Sequence, residues 1–203
     1  MSDFVLTART GLERILTPGV YGAAAAEPGL AIALRPDVAL AMVMARKGKQ
    51  PELEERVHST FGLSLPATPR RVDNGVLSFI WAGPGRWLVA TSAHESQTLE
   101  RILRGELTNA ASIVNQSDGR SVVRVRGAQA RECLERNLPI DIDPRVFGPG
   151  HVALTLAGHI NVHVWQLDAT PTYEFAVPRS FTASFCRWLF AAGARYGYRI
   201  ESA

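Results

Sequence analysis

The run Asn115-Gln116-Ser117-Asp118-Gly119-Arg120-Ser121-Val122-Val123-Arg124-Val125-Arg126-Gly127-Ala128-Gln129-Ala130-Arg131 carries the signals that decide the fold. Residues 112–116 and 121–126 read as strands on either side of Ser117-Asp118-Gly119-Arg120, and an Asp-Gly pair between two such runs is a strong short-range hairpin signal. A helix over residues 128–136 follows directly. Strand, turn, strand, then helix is the grammar of antiparallel pairs covered on one face by helices.

The same grammar extends in both directions. Downstream, residues 152–156, 160–167 and 173–177 read as strands separated by Gly158-His159 and by residues 168–171. A last helix starting near Ser180 places Phe181, Phe185, Trp188, Leu189 and Ala192 on one core-facing stripe. Upstream, residues 77–81 and 87–90 form a hairpin around Gly83-Pro84-Gly85-Arg86. Ser92 and Glu95 have the spacing of a capping box, opening a helix with Leu99, Ile102 and Leu103 inward and Gly105 beyond its end. Pro51, followed by Glu52, Glu54 and Glu55, opens an earlier helix with Leu53, Val57 and Phe61 on one face, and Gly62 closes it. Residues 30–34 and 38–45 are strands expected to pair as a hairpin around Arg35-Pro36-Asp37. Residues 1–28, with the Ala23–Ala26 tract, show no sustained period and read as an extended arm.

The expectation is therefore an α+β fold in two layers, with antiparallel sheets and helices on one face, built as two intertwined ferredoxin-like units. Residues 29–203 form one domain, in halves of about 29–110 and 111–203, after the arm at 1–28.

Composition narrows the function classes. Hydrophobic residues make up 46% and charged residues 20% of 203, so the chain can bury a core without disulfide or metal staples. Cys133 and Cys186 sit among apolar helical neighbours and read as buried thiols. No stretch is long and apolar enough to cross a bilayer and MSDFVLTART has no signal pattern, so the expected location is cytoplasmic. The net charge is only +3, and of 22 basic residues just Lys47 and Lys49 are lysine. Dispersed arginine argues against a nucleic-acid stripe and suits protein interfaces.

Chemistry-bearing motifs are missing. Of the five histidines (58, 94, 151, 159 and 163), His159 and His163 are the closest pair, yet along a strand they stand about 13 Å apart. There is no Cys-x-x-Cys, His-Glu-x-x-His, phosphate-binding glycine loop or nucleophile elbow. Ser117-Asp118-Gly119 reads as turn chemistry, Asp141 and Asp143 as solvated or capping acids, and Trp81, Trp87, Trp165 and Trp188 as core. No catalytic, cofactor-binding or metal-ligating residue is expected.

The stretch quoted above, together with Leu138-Pro139-Ile140-Asp141-Ile142-Asp143-Pro144-Arg145-Val146-Phe147-Gly148-Pro149-Gly150, the Gly83–Val89 hairpin, and the close from Pro171 through Trp188-Leu189, resembles the sarcosine oxidase gamma subunit family over about residues 30–193. The resemblance implies a fold like the folate-binding aminomethyltransferases and membership of an alpha, beta, gamma, delta assembly. That assembly demethylates sarcosine to glycine with oxygen as electron acceptor and passes the one-carbon unit to tetrahydrofolate or water. It further implies that NAD and folate belong to alpha, FAD and FMN to beta, and zinc to delta, with none in gamma. Two alternatives remain open. One is a free-standing folate-binding protein of the same fold, although the Lys-Gly-Cys signature of such repair-associated proteins is missing. The other is the same subunit role in an oxidase or dehydrogenase of another N-methyl amino acid. For an interface subunit, Arg86, Trp87, Arg120, Arg124 and Arg126 are the candidate contacts, since arginine and tryptophan dominate interface energetics.

Overall fold

The structure is a computed structural model that describes residues 12, 15–23 and 27–202. Of the expected arm, residues 1–11, 13, 14 and 24–26 lie outside these. Twelve strands and four α-helices follow one another: β1 (Gly19–Tyr21), β2 (Leu30–Leu34), β3 (Ala39–Ala45), α1 (Gln50–Phe61), β4 (Arg71–Asp73), β5 (Ser78–Gly83), β6 (Arg86–Thr91), α2 (Ser96–Leu107), β7 (Ala111–Asn115), β8 (Arg120–Arg126), α3 (Ala130–Glu135), β9 (Val152–Ala157), β10 (Ile160–Asp168), β11 (Thr172–Pro178), α4 (Thr182–Gly193) and β12 (Tyr198–Ile200).

They assemble into two sheets. The larger has the order β1-β12-β2-β8-β11-β10-β9 and the smaller β4-β5-β6-β3-β7. Among the described residues all pairings are antiparallel except β12 with β2. Alternation along each strand separates two faces. In the small sheet Val43, Phe79, Trp87, Val89 and Ile113 pack under Leu53 and Val57 of α1 and Leu99, Leu103 and Leu107 of α2. In the large sheet Val123, Val125, Val162, Val164 and Phe175 pack under Leu134 of α3 and Phe185 and Leu189 of α4. The opposite faces meet each other, joining Leu40, Ile80 and Leu88 to Val122, Val152, Trp165 and Ala176. Each sheet thus has helices on one face, as expected, but the two helix-free faces stack on each other, so the expected two layers are corrected to four.

Both hairpins expected at the crossing points are corrected by the pairing. β2 lies between β12 and β8 in the large sheet, whereas β3 lies between β6 and β7 in the small one. Likewise β7 pairs with β3 while β8 pairs with β2 and β11. The Asp-Gly turn itself forms, with Arg120 N–H donating to Gln116 C=O at 2.9 Å. Neither Asp118 nor Gly119 has positive φ, so it is not the type I′ turn that folds a strand back beside its predecessor. Instead Gln116 N–H bonds to Leu40 C=O in one sheet, and Gly119 C=O accepts from Arg179 N–H in the other. By contrast Gly158 (φ 53°) and His159 (φ 70°) both lie in the left-handed region and close a two-residue hairpin between Ala157 and Ile160.

Local corrections have local causes. No capping box forms: α2 starts at Ser96, with Glu95 in the cap position and no side-chain cap, and it runs through Gly105 to Leu107. A 3₁₀ turn over Arg179–Phe181 precedes α4, which leaves Phe181 off the apolar stripe and 52% exposed. Pro51 and the left-handed Gly62 bound α1 as their residue types require. Among the described residues no helix is long and apolar enough to cross a membrane.

Candidate functional site

The two crossings between sheets, at residues 35–38 and 117–119, lie side by side and open a cleft of about 550 Å³. Its lining includes Arg35, Asp37, His94, Ser96, Arg120 and Arg179. Ser117 closes one wall by serving the backbone of β3: its hydroxyl accepts from Leu40 N–H at 2.9 Å and donates to Leu40 C=O at 3.2 Å. That occupation leaves it no nucleophilic part.

Beneath the cleft, β8, β10 and β11 direct alternate side chains between the sheets. Glu174 is a lone acid in the apolar strand Tyr173-Glu174-Phe175-Ala176-Val177 and is 6% exposed. Its Oε1 accepts from Arg124 Nε at 3.0 Å, Arg124 Nη2 at 2.7 Å and Arg35 Nη1 at 3.1 Å, and its Oε2 from Trp165 Nε1 at 3.1 Å. Burial pushes the Glu174 carboxyl above its ordinary range, while the Arg35 charge and the Trp165 donor pull it back. Arg35 also grips Asp37 with both ends of its fork, at 2.9 and 2.6 Å, which holds the Asp37 carboxyl below the usual range.

One strand pair away, Arg120 Nη1 stands 3.4 Å from His163 Nδ1. His163 is 7% exposed; burial first, and the Arg120 charge second, push its pKa down to about 4. The imidazole is therefore neutral near pH 7 and, with Nδ1 facing a cation, carries its proton on Nε2.

The arginine and tryptophan candidates divide. Trp87 is interior, 1% exposed, with its indole N–H donating to Pro66 C=O at 2.9 Å, so it offers no surface to a partner. Arg86 is exposed beside it. Arg124 pairs with Glu174 across the β8–β11 ladder of the large sheet, Arg126 pairs with Glu201 at 2.5 Å on the surface, and Arg120 is half-buried at the cleft. The Glu174 cluster was not singled out from sequence, although a charge inside an otherwise apolar strand is itself a signal that partners must converge on it. Asp141 and Asp143 accept from backbone N–H groups two residues ahead, as capping acids do. Among the described residues no group of His, Cys, Asp and Glu gathers in a metal-holding arrangement.

Two edge strands expose apolar side chains. Leu154 and Leu156 of β9 are 46% and 43% exposed, on the face that Val152 turns toward the small sheet, and Val114 of the edge strand β7 is 42% exposed.

Residues 45–195 match the family described as sarcosine oxidase, gamma subunit. The chain belongs to the sarcosine oxidase gamma subunit family. Relatives within it include the sarcosine oxidase subunit gamma of Corynebacterium sp. (strain U-96), 29% identical over 138 residues, and that of Arthrobacter sp, 29% identical over 119 residues. The matched segment spans 66% of this chain and 66% of the former, and 56% and 55% for the latter. In fold this gamma-family chain is similar to a chain of the heterotetrameric sarcosine oxidase from Corynebacterium sp. U-96, with a TM-score of 0.74, 24% identity and coverage of 85% of this chain and 87% of that one. It is also similar to glycine cleavage system aminomethyltransferase T from Bartonella henselae, with a TM-score of 0.62, 13% identity and coverage of 91% and 59%. The aminomethyltransferase-like fold expected from sequence is thereby shown.

Proposed function

We propose that the protein is the non-catalytic gamma subunit of a heterotetrameric sarcosine oxidase, an assembly component that works through its surface. The alpha, beta and delta chains of that reading hold the NAD, folate, FAD, FMN and zinc chemistry, and together oxidise the CH–NH bond of sarcosine with oxygen. Family membership supports the assembly. The observation that carries the surface role is the exposed leucine pair on β9: an edge strand with apolar side chains and open ladder groups is a liability in a lone protein and is ordinarily charged, bulged or covered. Here only its start is covered, where Val152 N–H donates to Pro69 C=O beside the Arg70–His151 bridge; the described residues leave the stretch with Leu154 and Leu156 as an open edge, so a larger partner is its natural cover.

Co-expression with the alpha, beta and delta chains, followed by size-exclusion chromatography, tests this. One co-eluting complex with sarcosine-dependent oxygen consumption is the expected result. A gamma chain that elutes alone beside an active, complete remainder would overturn the assignment. Calorimetry with tetrahydrofolate separates it from the free-standing folate-binding reading, which requires binding to the isolated chain.

A further inference from the structure

We propose that the cleft at the two sheet crossings binds a small carboxylate ligand, seated on Arg120. The site lies within this chain and does not depend on the assembly role. Its volume of about 550 Å³ falls in the range of small-molecule sites. Of the three guanidinium groups that line it, Arg35 is neutralised by Asp37 and Glu174. Arg120 and Arg179 have no carboxylate partner among the described residues.

Arg120 is the unusual one. Its Nε is buried and hydrogen-bonded to nothing among the described residues, and the same holds for Nε2 of the adjacent His163. Both nitrogens are enclosed, and His163, on β10 with β11 between it and β8, is not among the residues that line the cleft; together they mark Arg120 as a cation that the fold leaves short of acceptors, at a cost of about 1–3 kcal/mol for such a group. The neutral His163 beside Arg120 adds no second charge. A carboxylate supplies two oxygens in the plane that a guanidinium fork matches. Ser96, on the same wall, opens α2, whose N-cap residue Glu95 makes no side-chain cap bond, so the helix start offers backbone N–H donors while the Glu95 carboxylate offsets the partial positive charge there. Glu95 and Asp118 also line the cleft, both exposed. They orient the ligand, carboxylate inward and any ammonium outward, which makes a zwitterionic amino acid the best-matched member of the class.

Thermal unfolding of the full chain, alone or with its partner subunits as purified, tests the site with glycine and sodium acetate titrated against sodium chloride at matched ionic strength. A saturable rise in Tm beyond chloride is expected. In Arg120→Gln the half-saturating concentration should rise about tenfold, the usual scale for losing a charged hydrogen-bonding partner, with Arg120→Lys in between. Should Arg120→Gln fail to fold, Arg179→Gln at the exposed rim should still weaken binding severalfold. No rise beyond chloride in the native chain, or unaltered binding in the folded variants, would overturn the proposal.

Discussion

Arg124 Nη2 lies 2.7 Å from Glu174 Oε1, and the two residues face each other directly in the β8–β11 ladder. Because Glu174 is almost fully enclosed and also receives Arg35 and Trp165, its removal strands three donors at once. Glu174→Ala should lower unfolding stability by about 3 kcal/mol, the scale for breaking a buried pair from one side. Replacing both partners, as in Arg124→Met with Glu174→Leu, should recover only part of that loss in urea unfolding, because Arg35 Nη1 and Trp165 Nε1 still lack their acceptor. A single variant with native stability would show that the pair carries no structural weight.

His163 makes stability depend on pH in a defined direction. Its pKa is 6.5 when solvated and about 4 in the fold, so between those values the unfolded chain binds a proton that the native chain does not. The contribution is complete above pH 6.5 and is lost as pH falls toward 4, by an amount on the order of 3 kcal/mol. Urea titrations at pH 7.5, 6 and 5 should show this slope, and His163→Leu should flatten it.

Arg86 and Trp87 are neighbours with opposite fates, and substitution should separate them. Trp87→Ala should cost about 4 kcal/mol, as large core truncations do, and depress soluble yield whether or not partners are present. Arg86→Ala should leave Tm unchanged and is the cleaner probe of assembly. If Arg86→Ala destabilised the lone chain, its exposed placement would be wrong.

Both thiols are built into the core. Burial pushes Cys133 up to about 11 and Cys186 up to about 12, and the thiolate is the reactive species. Neither should react with a disulfide reagent in native buffer over minutes, and both should react at once in denaturing urea.

Much of this fold was legible in the residues, because helices and strands in it follow strong periodicity: Leu99 and Leu103, or Phe185 and Leu189, could face only inward. What the pattern did not reveal was partnership. Arg35-Pro36-Asp37 and Ser117-Asp118-Gly119 are real turns, and turn chemistry sets a change of direction without naming the sheet that receives the next strand. Strands of three residues, such as β4 and β12, carry too little alternation to register at all. The candidate site was hidden for the same reason, since Arg35, Arg120 and Glu174 are remote in sequence and meet only when the crossings are placed correctly.

Those crossings also govern when the chain can finish folding. β2 is among the first strands to be synthesised, yet the strands on either side of it, β8 and β12, come after the whole small sheet has been made. Until β8 leaves the ribosome, the apolar row of Leu30, Ile32 and Leu34 has no ladder to join, and its other edge waits for β12. A nascent chain of this topology must therefore keep a sticky segment shielded for most of its translation, which favours capture by a chaperone or by a companion subunit made at the same time.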